Sequence, residues 1–208
     1  MSNPATEAPS AMAPFDETEQ ARAGLYRLLS AALSHPPTPQ LLNAIRGLRS
    51  HETGTPIGAA LATLIQVAQA TTLNTVAREY DTIFLGVARG ELMPYASFYL
   101  TGFLHDRPLA RLREELAVLG FAATPGHPDP EDHAGTLCEL MAGLIDGGQA
   151  DPQVLESQRR FFKRHMAPWI GQFFKDLELF KSSDFYSSVG MLGRAFFDVE
   201  HLAFEMEA

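Results

Sequence analysis

Apolar residues recur in this chain at spacings of three and four almost from end to end, and no stretch alternates apolar with polar in the manner of a strand. A period near 3.6 places such residues on one face of a helix, whereas a half-buried strand needs a period of two. Leu25, Leu28, Leu29, Ala32 and Leu33 form one stripe, and Leu109, Leu112, Leu116 and Leu119 form another. Leu137, Leu140, Met141, Leu144 and Ile145 make a third, and Phe185, Val189, Leu192, Phe196 and Val199 close the series. The pattern therefore predicts an all-α fold, a single-domain helical bundle of roughly eight to ten helices.

Punctuation between the stripes sets the expected boundaries. The run His35-Pro36-Pro37-Thr38-Pro39 stops the first helix, because proline lacks the N–H and clashes with the preceding turn. Asp16 is the expected cap of that helix, and Asn74 that of the helix carrying Val76, Tyr80, Ile83 and Phe84. Gly54, Thr55 and Pro56 lead into a helix, and Gly120 ends one at C′. Asp129 reads as an N-cap with Pro130 at the first helical position. Residues 1–15, rich in Ala, Pro, Ser and Thr, read as a disordered tail, leaving 16–208 as the helical domain.

Charge and motifs narrow the function classes. A net charge of -9 disfavours a nucleic-acid partner, which needs clustered Lys and Arg for phosphates. The single cysteine, Cys138, can form neither an internal disulfide nor a multi-cysteine zinc site. No early segment reads as a signal peptide and no apolar run reaches the length of a membrane span, so the expected location is cytoplasmic, without stable membrane insertion. There is no phosphate-cradling Gly-x-x-x-x-Gly-Lys-Ser/Thr loop, no Gly-x-Gly-x-x-Gly, no His-Glu-x-x-His and no Gly-x-Ser-x-Gly. No cofactor or metal is assigned, and a binding protein rather than an enzyme is expected. The enzymatic alternative is a helical metal-dependent hydrolase in which His127, Asp129, Asp132 and His133 meet an ion, although such residues near a helix start more commonly serve as caps.

Two segments stand apart. In Glu79-Tyr80-Asp81-Thr82-Ile83-Phe84, the residues Tyr80, Ile83 and Phe84 share one helical face, flanked by Glu79 and Asp81. Pro94-Tyr95 follows, with a large ring carrying a polar tip at a turn, the kind of side chain that fills core or groove. In Pro130-Glu131-Asp132-His133, His133 precedes Leu137 by one helical turn and opens its apolar face. A histidine there is either a satisfied core residue or the mouth of a groove.

Taken in order, these segments resemble the TorD/DmsD/NarJ family of redox-enzyme maturation chaperones. The likeness rests on Glu79-Tyr80 with Ile83-Phe84, on Pro94-Tyr95 with Ser97 and Tyr99, and on Pro130 with Asp132-His133. It extends from Arg22-Ala23-Gly24-Leu25-Tyr26 through Phe161-Phe162, His165, Pro168-Trp169 and Phe185-Tyr186. Tyr stands at positions 80 and 95 where some relatives have Trp.

The resemblance implies a chaperone of a molybdoenzyme precursor. It would bind the twin-arginine signal peptide, and possession of that peptide would delay export until molybdenum cofactor insertion. It also implies a signal-peptide site at Tyr80, Ile83, Phe84, Pro94, Tyr95, Pro130, Asp132 and His133. A cationic, apolar peptide needs an apolar groove with carboxylates at one end, which Glu79, Asp81, Glu131 and Asp132 are expected to supply. The alternative within the family is a chaperone of the mature enzyme subunit that needs no signal peptide. A monomer and a domain-swapped dimer both remain open.

Overall fold

The computed structural model describes residues 14–50, 53–86, 90–121, 130–147 and 152–206. The tail expected at 1–15 lies outside these residues except for Pro14 and Phe15, which already belong to the first helix. Ten α-helices are present among the described residues: α1 (Pro14–Leu33), α2 (Pro39–Gly47), α3 (Pro56–Ala70), α4 (Leu73–Tyr80), α5 (Ala96–Thr101), α6 (Arg107–Val118), α7 (Ala134–Asp146), α8 (Pro152–Phe161), α9 (Ile170–Glu178) and α10 (Asp184–Met206). Two of them run on into wider π-helical turns, Asp81–Leu85 after α4 and Phe162–Met166 after α8. No described residue belongs to a strand, and no single described helix is long and apolar enough to cross a membrane.

The starts of the helices follow capping chemistry. Thr38 and Thr55 precede Pro39 and Pro56, and their hydroxyls accept from the N–H groups of Leu41 (3.2 Å) and Gly58 (3.0 Å). Asp106 does the same for α6, accepting from Arg107 N–H at 2.7 Å. Gly120, at φ +77°, closes α6 with both bonds of a Schellman motif, Phe121 N–H to the Leu116 carbonyl and Gly120 N–H to that of Ala117.

Two expected caps and one expected helix start are corrected. Asp16 lies inside the first turn of α1 rather than before it. Thr72, not Asn74, caps α4, accepting from Thr75 N–H at 3.2 Å, because its hydroxyl sits three residues ahead of an orphan donor. Pro130 is not helical: Pro130 to His133 form a turn closed by His133 N–H and the Pro130 carbonyl, and α7 begins only at Ala134. Asp129, the expected cap there, lies outside the described residues.

One continuous core joins these helices. α1 packs along α7, and α10 packs against α9 and α3. Tyr26, Phe161, Phe162, Phe173, Phe174, Phe185 and Tyr186 are among the largest fully buried side chains. The stripe of α10 holds through Phe196 but not to Val199, which is 45 % exposed. Its inward face turns instead to Phe197, Glu200 and Phe204, because the far end of α10 meets Arg22 of α1 and Phe162.

Candidate functional site

The π turn after α4 closes at Gly86, and the segment from Gly90 onward lies against it. Gly86 takes φ +56°, and its N–H reaches back to the Asp81 carbonyl at 2.7 Å. Gly90 lies so close to the Phe84 carbonyl that a Cβ there would stand 2.3 Å from its oxygen. Leu92 N–H then bonds the Ile83 carbonyl at 2.9 Å, which brings Pro94 and Tyr95 beside the start of α7.

There the two singled-out segments meet edge to edge. Tyr95 and His133 form an isolated antiparallel bridge. Ala96 N–H donates to the Asp132 carbonyl (3.0 Å), and Ala134 N–H to that of Pro94 (2.7 Å). The half-buried Tyr95 ring stands edge-on to the His133 imidazole, with centroids 5.1 Å apart. His133 is buried and acts as the N-cap of α7, its Nδ1 accepting from Gly135 N–H at 3.0 Å. Asp132 plays the same part for α5: Oδ2 accepts from Ser97 N–H at 2.7 Å. Asp132 Oδ1 and the Ser97 hydroxyl are buried without a hydrogen-bond partner among the described residues.

The other expected site residues sit deeper. Ile83 is fully buried, and Tyr80 is 6 % exposed, its hydroxyl donating to the Leu33 carbonyl. Phe84 is half-buried and packs on Tyr80 and Tyr186 at 5.0 and 5.3 Å. Pro94 is buried and Pro130 half-buried. The end of α1 separates the two groups, since Leu33 receives Tyr80 while Ser34 packs against Gly135 beside His133. Tyr80 and Ile83 are thus core support in this arrangement, while Phe84 and Tyr95 stay half-buried.

Three of the four expected carboxylates are already engaged. Glu79 Oε2 accepts from the Ser183 hydroxyl and from Phe185 N–H at 3.2 Å, which closes the start of α10. Glu131 takes two bonds from Arg113, at 3.0 and 2.8 Å. Asp132 is buried as described, and only Asp81 stands exposed with no described partner. No group of three His, Cys, Asp or Glu among the described residues is placed to hold a metal ion. His127 and Asp129 lie outside those residues.

Beside Asp132 opens a cleft of about 150 Å³, lined among others by Leu100, Pro108, Arg111, Arg164 and His165. None of these five was singled out from the sequence for a site. The two basic runs at 107–113 and 159–164 are the sequence signal that could have found them. Its wall is tied by buried Glu115, which accepts from Arg160 Nε (2.9 Å), Arg164 (3.3 Å) and His165 Nε2 (2.8 Å). Burial pushes His165 below the usual imidazole range and outweighs the carboxylate beside it, so the ring is neutral and donates from Nε2. Burial opposes the Glu115 charge, but the bonds from Arg160 and His165 outweigh it and hold this carboxyl low.

Groups with depressed pKa values take up protons more readily in the unfolded chain, so acid favours unfolding here. The loss begins as pH falls through 6.5 for His165 and deepens below 4.5 for Glu115, their ordinary values. His165→Gln is expected to flatten the first step, read by urea unfolding at about pH 7.5 and about pH 6. A slope in the variant equal to the parent's assigns that step to other groups.

An all-helical fold of this arrangement is shared with a protein from Archaeoglobus fulgidus described as a candidate redox enzyme maturation protein. The match has a TM-score of 0.59 at 18% identity and covers 93% of this chain and 99% of that one. Residues 50–175 match the model of the nitrate reductase delta subunit family, so this chain belongs to that family. The resemblance read from the two segments is borne out. The chain is 28% identical over 128 residues to chaperone protein TorD of Vibrio cholerae serotype O1 (strain ATCC 39541 / Classical Ogawa 395 / O395), covering 58% of each, so the match spans under two thirds of that relative. It is 26% identical over 201 residues to chaperone protein TorD of Shewanella loihica (strain ATCC BAA-1088 / PV-4), covering 86% of this chain and 91% of that one. These relatives are named as chaperones, and the family is one of maturation chaperones, not of enzymes.

Proposed function

We propose that this protein is a cytoplasmic maturation chaperone for a molybdoenzyme precursor. It holds the twin-arginine signal peptide, assists insertion of the molybdenum cofactor and so delays export. The observation that carries this reading is the seam at Pro94–Tyr95 and Pro130–His133. Two non-helical segments are pinned together there, with a half-buried aromatic ring against a buried histidine. Such a seam offers the extended backbone and ring surface that an apolar peptide needs. In this reading Tyr95, Phe84 and Pro130 contact the peptide, Asp132 and His133 fix the seam, and Tyr80, Ile83 and Pro94 support it from beneath. Residues 16–208 act as one domain.

Calorimetric titration with twin-arginine signal peptides of candidate molybdoenzymes tests this, with an Arg-Arg to Lys-Lys peptide as control. Saturable binding weakened in the control supports it. Tyr95→Ala is expected to weaken binding about thirty-fold, the scale of an aromatic anchor. His133→Asn keeps a good N-cap for α7 while removing the ring, and is expected to weaken binding with helicity unchanged. If both variants bind like the parent, the site lies elsewhere.

A second reading is favoured by the engagement of Glu79, Glu131 and Asp132 within the fold, which leaves Asp81 as the one exposed carboxylate of the four for a cationic peptide. It is a chaperone of the mature enzyme subunit. Co-purification with the mature subunit, and no binding to any signal peptide, would select it.

A further inference from the structure

We infer that the cleft beside Asp132 is a second binding site, one that takes an acidic, apolar segment of the client protein. This rests on the reading that the chain binds a client protein, but not on the signal peptide being the part it holds. Although the chain is acidic overall, seven of its sixteen Lys and Arg fall in two short runs, 107–113 and 159–164. The second run holds four cations and no carboxylate. The fold brings one member of each run to the same cleft, Arg111 from α6 and Arg164 from the π turn after α8. Glu115 of α6 is buried and already serves Arg160, Arg164 and His165. Arg111 is exposed and has no described partner.

Two further features define the ligand. Asp132 lines the cleft with a buried carboxylate whose Oδ1 has no donor among the described residues, and the Ser97 hydroxyl is buried and likewise without a partner among them. A buried acceptor left unpaired is costly, and an entering N–H would relieve that cost. Leu100 also lines the cleft while 43 % exposed, and Phe103, just past the end of α5, is 72 % exposed. An acidic peptide segment satisfies all three at once. An apolar side chain lies on Leu100, a backbone N–H meets Asp132, and a neighbouring carboxylate reaches Arg111 and Arg164. A cationic segment is repelled by the same two guanidiniums, so this is not where paired arginines sit.

The probes are N-acetyl-Leu-Glu amide, N-acetyl-Leu-Gln amide and N-acetyl-Leu-Lys amide, titrated into the full ¹⁵N-labelled chain. The Glu probe is expected to shift the Ser97, Leu100, Arg111 and Leu112 amides saturably. The Gln probe should bind about ten-fold more weakly, because it loses a charge-assisted bond. The Lys probe should not bind. Arg111→Glu should abolish the Glu-probe shifts. Equal binding of the three probes, or none by the Glu probe, overturns the inference. So does inorganic phosphate that saturates the same amides without being displaced by the Glu probe, since that marks a small-anion site. A twin-arginine signal peptide titrated in parallel separates the two claims. If it binds and the Glu probe does not, only the cleft assignment fails. If the Glu probe binds and no signal peptide does, the cleft stands and the signal-peptide reading fails.

Discussion

Gly190→Ala is expected to lower the melting temperature by roughly 6–12 °C, equivalent to about 3 kcal/mol for a chain of this size. Position 190 lies in α10 where the helix crosses the end of α9. A Cβ there would stand 2.3 Å from the Glu178 backbone nitrogen and 2.7 Å from its Cα. Neither atom belongs to a flexible side chain, so one helix must move away from the other. That movement would open contacts around Leu177 and Val189, both buried. Gly171→Ala in α9 is the control, since nothing lies within 4 Å of its added Cβ. Removing a helical glycine at such a site is expected to be neutral or to stabilise by up to about 1 kcal/mol. Thermal unfolding of both variants checks the pair, and equal melting temperatures would show that the helices yield at this crossing at little cost.

Arg22→Met is expected to destabilise the protein by about 3–5 kcal/mol, the cost of leaving one buried charge without its partner. Arg22 grips buried Glu200 with two bonds, Nε to Oε1 at 2.7 Å and a terminal nitrogen to Oε2 at 2.9 Å. Its other terminal nitrogen reaches Glu19 (3.0 Å) and Gln158 (2.8 Å), so that α1, α8 and α10 are tied at one point. Tyr26 completes the cluster by donating to Glu200 at 2.6 Å. Burial opposes the guanidinium charge, but the bond to Glu200 and its negative charge outweigh it, and the Arg22 pKa is raised. With methionine in its place, Glu200 keeps only the Tyr26 hydroxyl. Adding Glu200→Leu removes the stranded charge, so the double variant should be more stable than Arg22→Met alone. If the two changes instead cost the same added together as apart, the pair contributes nothing by its pairing.

Much of the candidate site was legible before any coordinates. The two segments of the seam stood out by their residue types: prolines that cannot continue a helix, a tyrosine at a turn, and an Asp-His pair ahead of an apolar stripe; that they pair came only from the structure. Their roles were legible only in part. Asp132 looked like a surface carboxylate for a cationic ligand, yet it is buried and caps α5, thirty-odd residues away in sequence, through the Ser97 N–H. Glu79 looked equally available, and its carboxylate closes the start of α10. Tyr80 and Ile83 shared a face with Phe84 as expected, but a shared face does not say how much of it the rest of the chain covers. Of the three, only Phe84 is half-buried rather than buried.

The amino-acid sequence by itself determined the fold class, most helix boundaries and the family, because these depend on local rules. Helical periodicity, proline and glycine stops and threonine caps act within a few residues of one another, and motif order survives without coordinates. Only the tertiary structure decided which polar groups are spent and which remain for a ligand. Arg113 cancels Glu131, Ser183 and Phe185 engage Glu79, and Arg111 and Arg164 line one cleft although their helices lie far apart in the chain. Charge pairing and burial depend on separation in space, which falls off within a few ångströms, and sequence separation carries no record of it.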